Sequence, residues 1–157
     1  MRLLNWQPLS HGGKTHMNTY KVMRDKHQQE VNAFPIQFAF NDEQFKAGMR
    51  KLGLNPEDTD QVYGCGGTGG FYRRSDAPRF YEMLERHERE RQKAIDADST
   101  GGGYIFDMFY YELANHEYGY TWDLTDTLRA LGLSREDIEK STPLKNGLKR
   151  AIAKFKE

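Results

Sequence analysis

Glu112 and His116 stand four residues apart, a spacing that puts a carboxylate and an imidazole side by side on one helical face. Such a pair could supply two metal ligands. With His87 from an earlier helix it could furnish ligands for a small metal-dependent enzyme, which needs three or more converging donors. Only two of the three are placed together by spacing, so the simpler expectation is a Glu–His hydrogen bond at a helix end, where the dipole favours His116. Gly64-Cys65-Gly66-Gly67-Thr68-Gly69 matches G-x-G-x-x-G letter by letter. A dinucleotide site needs those glycines between a buried strand and the start of a helix. Here Asp-Gln-Val-Tyr precedes them and Phe-Tyr-Arg-Arg-Ser-Asp-Ala-Pro follows, so the segment reads as a hairpin tip. Cys65 as a nucleophile would need a positioned base and a lowered pKa, and a glycine tether orients a thiol poorly. No catalytic residue, no metal set and no cofactor are expected.

Two groups of residues point instead to macromolecular contacts. Arg73 and Arg74, with Lys145 and Lys149 on a basic C-terminal helix, could meet the phosphates of a nucleic acid. Asp107, Tyr111, Glu117, Tyr118, Tyr120, Trp122, Asp123 and Asp126 form an acidic and aromatic block too rich in rings for a core to absorb all of them. Tyr and Trp suit interfaces because they bury area and keep a polar tip, so this block is the expected protein contact.

The element that must carry that block is the stretch Gly103–Tyr118. On a helix, Ile105, Phe109, Glu112 and Leu113 take one side, Phe106, Tyr110 and Leu113 the next, and Met108 a third. A surface helix has an apolar stripe of about 100°, so one apolar around most of its circumference has to be covered by neighbours. Asp98, Ser99 and Thr100 offer capping oxygens ahead of it. Around it the pattern predicts helices at 19–34, 42–52 and 77–97, one beginning near Asp123, a short one opened by Ser134 and Asp137, and one from Pro143 with Leu144, Leu148, Ile152 and Phe155 on a stripe. Tyr118–Trp122 reads as a loop. Strands are expected at about 36–40, 61–64 and 70–74, where apolar and polar residues alternate or flank the glycine loop. The fold class is therefore α+β and predominantly α: a helical domain around a central aromatic helix at about 103–118, with a small antiparallel sheet. Phe45, Met49, Leu52-Gly53-Leu54 is echoed by Leu124, Leu128, Leu131-Gly132-Leu133, two helices with the same glycine stop.

With 157 residues one globular domain is expected over 17–157, after an N-terminal extension at 1–16 that carries Pro8, Gly12 and Gly13 without periodicity. The charges balance, 23 Lys and Arg against 23 Asp and Glu, which argues against a generic polyanion binder. They are unevenly placed: residues 99–142 hold eight acids and three bases, and residues 143–157 five bases and one acid. One cysteine excludes an internal disulfide, and no run is long and apolar enough to span a bilayer, so no membrane contact and a cytoplasmic location are expected.

His27-Gln28-Gln29-Glu30-Val31-Asn32-Ala33-Phe34-Pro35, then Phe38-Ala39-Phe40-Asn41-Asp42-Glu43-Gln44-Phe45, then Tyr110-Tyr111-Glu112-Leu113-Ala114-Asn115-His116-Glu117-Tyr118 together resemble a family of small uncharacterised proteins carried on phages and conjugative elements of gut bacteria. The similarity covers about Met17 to Phe155. The family has no assigned reaction, so the resemblance carries over no site residue. It implies a setting, that of accessory proteins on mobile DNA, many of which counter host defence, some by blocking CRISPR nucleases. The function expected from sequence is a non-enzymatic protein-binding accessory protein of that kind, its partner a defence nuclease. A nucleic-acid-associated protein and a small metal-dependent enzyme are the alternatives.

Overall fold

Asp98 organises the start of the central helix. Its carboxylate accepts hydrogen bonds from the backbone N–H groups of Gly101 and Gly103, both at 2.9 Å, and of Ile105 at 3.0 Å. Burial opposes its charge, but the amides of Ile105, Gly103, Gly101 and Thr100 outweigh that and hold the carboxyl below its ordinary value. The computed structural model describes residues 16–157, so the expected extension at 1–16 lies outside the described residues except for His16. Those residues form eight α-helices and one three-stranded antiparallel sheet, an α+β fold that is predominantly α. The chain packs as two compact units, residues up to Arg24 with Ala94–Glu157, and Asp25–Lys93. The boundaries fall within the first helix, α1 (Thr19–Ala33), and the third, α3 (Ala77–Ala97).

In the first unit α4 (Tyr104–Asn115) is the central helix. Ile105, Met108, Phe109 and Leu113 are buried in one cluster with Leu128, Ile138, Leu144, Leu148 and Ala151. These partners come from α6 (Thr125–Leu131), α7 (Arg135–Lys140) and α8 (Thr142–Lys154), so the rod is wrapped as its apolar circumference requires. α8 lies close along α4 because Gly147 has no side chain: a Cβ there would sit 2.5 Å from Ile105 Cγ2 and 2.8 Å from the Gly101 carbonyl oxygen. Two of the covering helices have their own side-chain start signal. Ser134 and Asp137 form a reciprocal capping box for α7, and Ser141 accepts from Leu144 N–H at the start of α8.

Asp107 corrects the sequence reading. It belongs to no outer surface but is 1% exposed, and it serves as a cap on another helix. Its Oδ2 accepts from the Thr19 N–H at 2.8 Å and the Thr19 hydroxyl at 2.7 Å, satisfying the first turn of α1, while His16 Nε2 lies 2.6 Å from Oδ1. A carboxylate facing a helix N-terminus is favoured by both hydrogen bonding and the helix dipole. Asn18 donates to the Asp107 carbonyl oxygen at 3.0 Å and completes the joint.

In the second unit β1 (Ile36–Phe38), β2 (Val62–Gly64) and β3 (Gly70–Arg73) pair in the order β1-β3-β2. Ile36 stands opposite Tyr72, Phe38 opposite Gly70, and Tyr63 opposite Tyr72. One sheet face is packed by α2 (Asp42–Lys51), whose Met49 joins Leu52 and Phe71 in a small core. Asn41 caps α2 by accepting from Gln44 N–H. The echoed helix stops are real and alike. Gly53 and Gly132 are left-handed, at φ 76° and 65°. Leu54 N–H bonds Met49 O at 2.9 Å and Leu133 N–H bonds Leu128 O at 3.0 Å, the paired closure that glycine permits at a helix end.

Candidate protein-contact site

α4 stops at Asn115, three residues short of the expected end, because Glu117 turns left-handed at φ 56°. The next segment is a single helical turn, α5 (Tyr118–Thr121), where the sequence suggested a loop. Trp122 closes it, also left-handed, at φ 55°. The turn is held by Tyr120 N–H and Thr121 N–H to Glu117 O at 2.9 and 3.2 Å, and by Trp122 N–H to Tyr118 O at 2.8 Å. Glu117 and Trp122 are the two non-glycine residues with positive φ among the described residues, and each costs about 1–2 kcal/mol relative to ordinary helical geometry. The surroundings impose that strain.

Tyr118 is the anchor. It is buried, with its ring edge-on to Trp122 at 5.4 Å and to Phe155 at 5.8 Å, and Phe155 in turn meets Tyr110 at 5.3 Å. Fixing Tyr118 inward turns its neighbours out: Tyr120 is 90% exposed and Trp122 53%. Glu117, Asp123 and Asp126 are exposed beside them. The backbone N–H of Thr125 and then its hydroxyl hold the Asp123 carboxyl below its ordinary value, so it stays ionised. Asp126 pairs with Arg129 at 3.1 Å. Of the eight residues expected to form the contact, Tyr120, Trp122, Glu117, Asp123 and Asp126 thus face solvent. Tyr118 holds the turn from inside, Asp107 caps α1, and half-buried Tyr111 carries the Arg24 guanidinium over its ring at 5.4 Å.

The Glu112–His116 pair lies together, with Glu112 held by Tyr20 and His116 Nε2 buried without a hydrogen bond among the described residues. Tyr20 donates to Glu112 Oε1 at 2.8 Å, and His116 Nε2 lies 3.3 Å from Oε2. Burial first, then the charge and hydrogen bond of Glu112, push the Tyr20 hydroxyl well above its ordinary pKa, so it remains a donor. His87, which sequence reasoning offered as a third ligand, sits instead in the second unit, stacked on His27 with ring centres 3.9 Å apart. His27 Nε2 lies 2.8 Å from Glu90 Oε2 and His87 Nε2 2.7 Å from Glu30 Oε2, a crossed pair that the sequence reading missed. Its signal is His-x-x-Glu written once on α1 and once on α3. Arg86 bridges the two carboxylates. Hydrogen bonds from Arg86 and then His87 hold Glu30 down to about 2, and those from His27 and then Arg86 hold Glu90 down to about 2. With a guanidinium already bridging both acids, the cluster reads as a clasp between α1 and α3. Among the described residues no group of three or more His, Cys, Asp or Glu converges as a metal set.

The four anion-contact residues differ in what holds them. Arg73 donates to Asp76 at 2.8 Å and to Leu52 O at 3.3 Å, which locks it into the sheet corner. Lys145 pairs with Glu139 at 3.1 Å. Lys149 is exposed, and Arg74 is exposed with its guanidinium 4.6 Å from the Tyr63 ring centre. The glycine loop leads into β3, a strand, where a dinucleotide site requires a helix. Burial pushes the Cys65 thiol up, away from nucleophilic character. No helix among the described residues is long and apolar enough to cross a membrane.

No curated protein and no solved structure matches this chain. The sequence model of one family matches residues 19–154, spanning both units. The chain belongs to that family, DUF7659, a family of unknown function.

Proposed function

We propose that this chain is a non-enzymatic, protein-binding accessory protein of a mobile element that blocks a host defence nuclease, and that the turn Glu117–Trp122 is its contact. The observation that carries the reading is the strained turn. Two left-handed residues bracket it, a buried tyrosine pins it, and its two remaining rings stand in water beside exposed carboxylates. Strain held against solvent is worth keeping where the held geometry does something, and Tyr and Trp are the residues most enriched among binding hot spots. The mobile-element setting rests on the resemblance of the His27–Phe45 and Tyr110–Tyr118 segments. The test is nuclease inhibition. Purified defence nucleases are assayed with the wild-type chain and with the Tyr120→Ala, Trp122→Ala double variant. Inhibition by the wild type that the double variant loses while keeping its melting temperature supports the reading. Equal inhibition by both places the contact elsewhere.

A further inference from the structure

The sheet of the second unit has one face that α2 does not cover. Pairing puts Ile36, Tyr72 and Tyr63 in one row across the three strands, and Phe38 opposite Gly70 two residues along on the same face. Tyr72 is buried under Phe80, 4.7 Å away between ring centres. The outer strands carry open rings at Phe38, 59% exposed, and Tyr63, 40%, and Phe40, two residues past the end of β1, is 79% exposed. Glycine makes room for two of them. A Cβ on Gly70 would sit 3.0 Å from the Phe38 ring, and one on Gly69 would sit 2.9 Å from the Phe40 ring. Core packing therefore explains where these rings rest and leaves most of Phe38 and Phe40, and a smaller part of Tyr63, in water.

Arg74 lies over Tyr63 and, unlike Arg73 and Arg79, which both reach Asp76, it makes no ion pair with a described carboxylate. Its donors are therefore available for an anion, and a ring-stacked guanidinium suits the fork geometry of a phosphate. Planar rings on a sheet beside one available guanidinium are what base stacking with a phosphate contact requires. With equal numbers of acids and bases the chain lacks the charge excess for a general grip on duplex nucleic acid, and a duplex hides its base faces. By strand spacing, Phe38 and Tyr63 are about 10 Å apart across the sheet and about 7 Å along it, which accommodates roughly two bases. We propose that this face binds single-stranded nucleic acid, with Phe38 and Tyr63 stacking on bases, Phe40 extending the platform at its edge and Arg74 holding a phosphate.

The experiment is fluorescence anisotropy of labelled oligo-dT and oligo-U of about 12 nucleotides, titrated with the full chain. Both bind, and the duplex binds more weakly. Tyr63→Ala weakens binding about ten-fold or more, the effect of losing one stacked base. Arg74→Gln weakens it as well and lowers the slope against log salt by about 0.7, the loss of one phosphate contact. Phe38→Leu keeps an apolar group over Gly70, so it keeps the melting temperature and still loses affinity. The proposal is overturned if no oligonucleotide binds at low salt, if an abasic strand of equal length binds as well, or if the three variants bind like wild type. It also falls if oligonucleotides fail and Phe38→Leu instead changes sedimentation, which makes the face a protein contact. None of these residues belongs to the Glu117–Trp122 turn, so either proposal can fail without the other.

Discussion

Replacing Glu117 by glycine tests whether the Glu117–Trp122 turn stores backbone strain. Glu117 has φ 56° and ψ 32°, so its Cβ pays the left-handed penalty of about 1–2 kcal/mol. Its side chain is exposed and makes no ion pair with a described residue, so removing it forfeits little packing. The backbone bonds it supplies, its N–H to Ala114 O and its carbonyl to Tyr120 and Thr121 N–H, survive in glycine. Against the relief stands the larger entropy of glycine in the unfolded chain, about 0.5–1 kcal/mol. The net expectation is a stabilisation of about 0.5–1 kcal/mol, or a rise of about 1–4 °C in melting temperature for a chain of this length. Glu117→Ala is the control. Alanine keeps the Cβ in the same left-handed geometry, so its stability stays within about 0.5 kcal/mol of wild type. The assay is urea unfolding followed by circular dichroism, with the three proteins in parallel. A loss of stability in Glu117→Gly, or an equal gain in Glu117→Ala, would refute the argument.

The other predictions concern contacts inside each unit. Asp107→Ala removes the charged acceptor from Thr19 and should cost about 2–3 kcal/mol in denaturant unfolding, with protection from hydrogen exchange lost first in the opening turn of α1. Gly147→Ala forces a methyl against Ile105 and the Gly101 backbone and should cost about 1–3 kcal/mol by overpacking; a neutral result would mean α8 can slide off α4 freely. Glu30 and Glu90 titrate from the usual 4.5 to about 2 in the folded state, so the unfolded chain binds the extra protons as acid is added. Their stabilisation is complete above about pH 4.5 and is lost as pH falls toward 2. Arg86→Gln should make that acid loss shallower in a pH series of melts, and an unchanged slope would count against the clasp.

What the sequence discloses here is local chemistry. Asn41, Ser134 with Asp137, Gly53 and Gly132 announce their helix ends because each cap is made within a few residues. The wrapped central helix is legible because no amphipathic arrangement could hide so many apolar residues. What depends on a distant partner is not legible. In Glu117-Tyr118-Gly119-Tyr120-Thr121-Trp122 the glycine is the natural left-handed residue, yet the left-handed positions are Glu117 and Trp122, because the Tyr118 ring is fixed between Trp122 and Phe155. Asp107 has an acid's usual outward expectation until Thr19, 88 residues earlier in the chain, presents its N–H. The crossed His–Glu pairs look like two unrelated fragments of charged helix until α1 and α3 lie side by side.

The central claim, that Tyr120 and Trp122 are displayed for another protein, is tested most directly by biolayer interferometry. Immobilised wild type and the Tyr120→Ala, Trp122→Ala double variant are exposed to purified defence nucleases. The account predicts that one nuclease binds the wild type and that the double variant weakens its Kd about 100-fold or more, as two hot-spot rings should. Binding of equal strength to both proteins, with both fully folded, would contradict it.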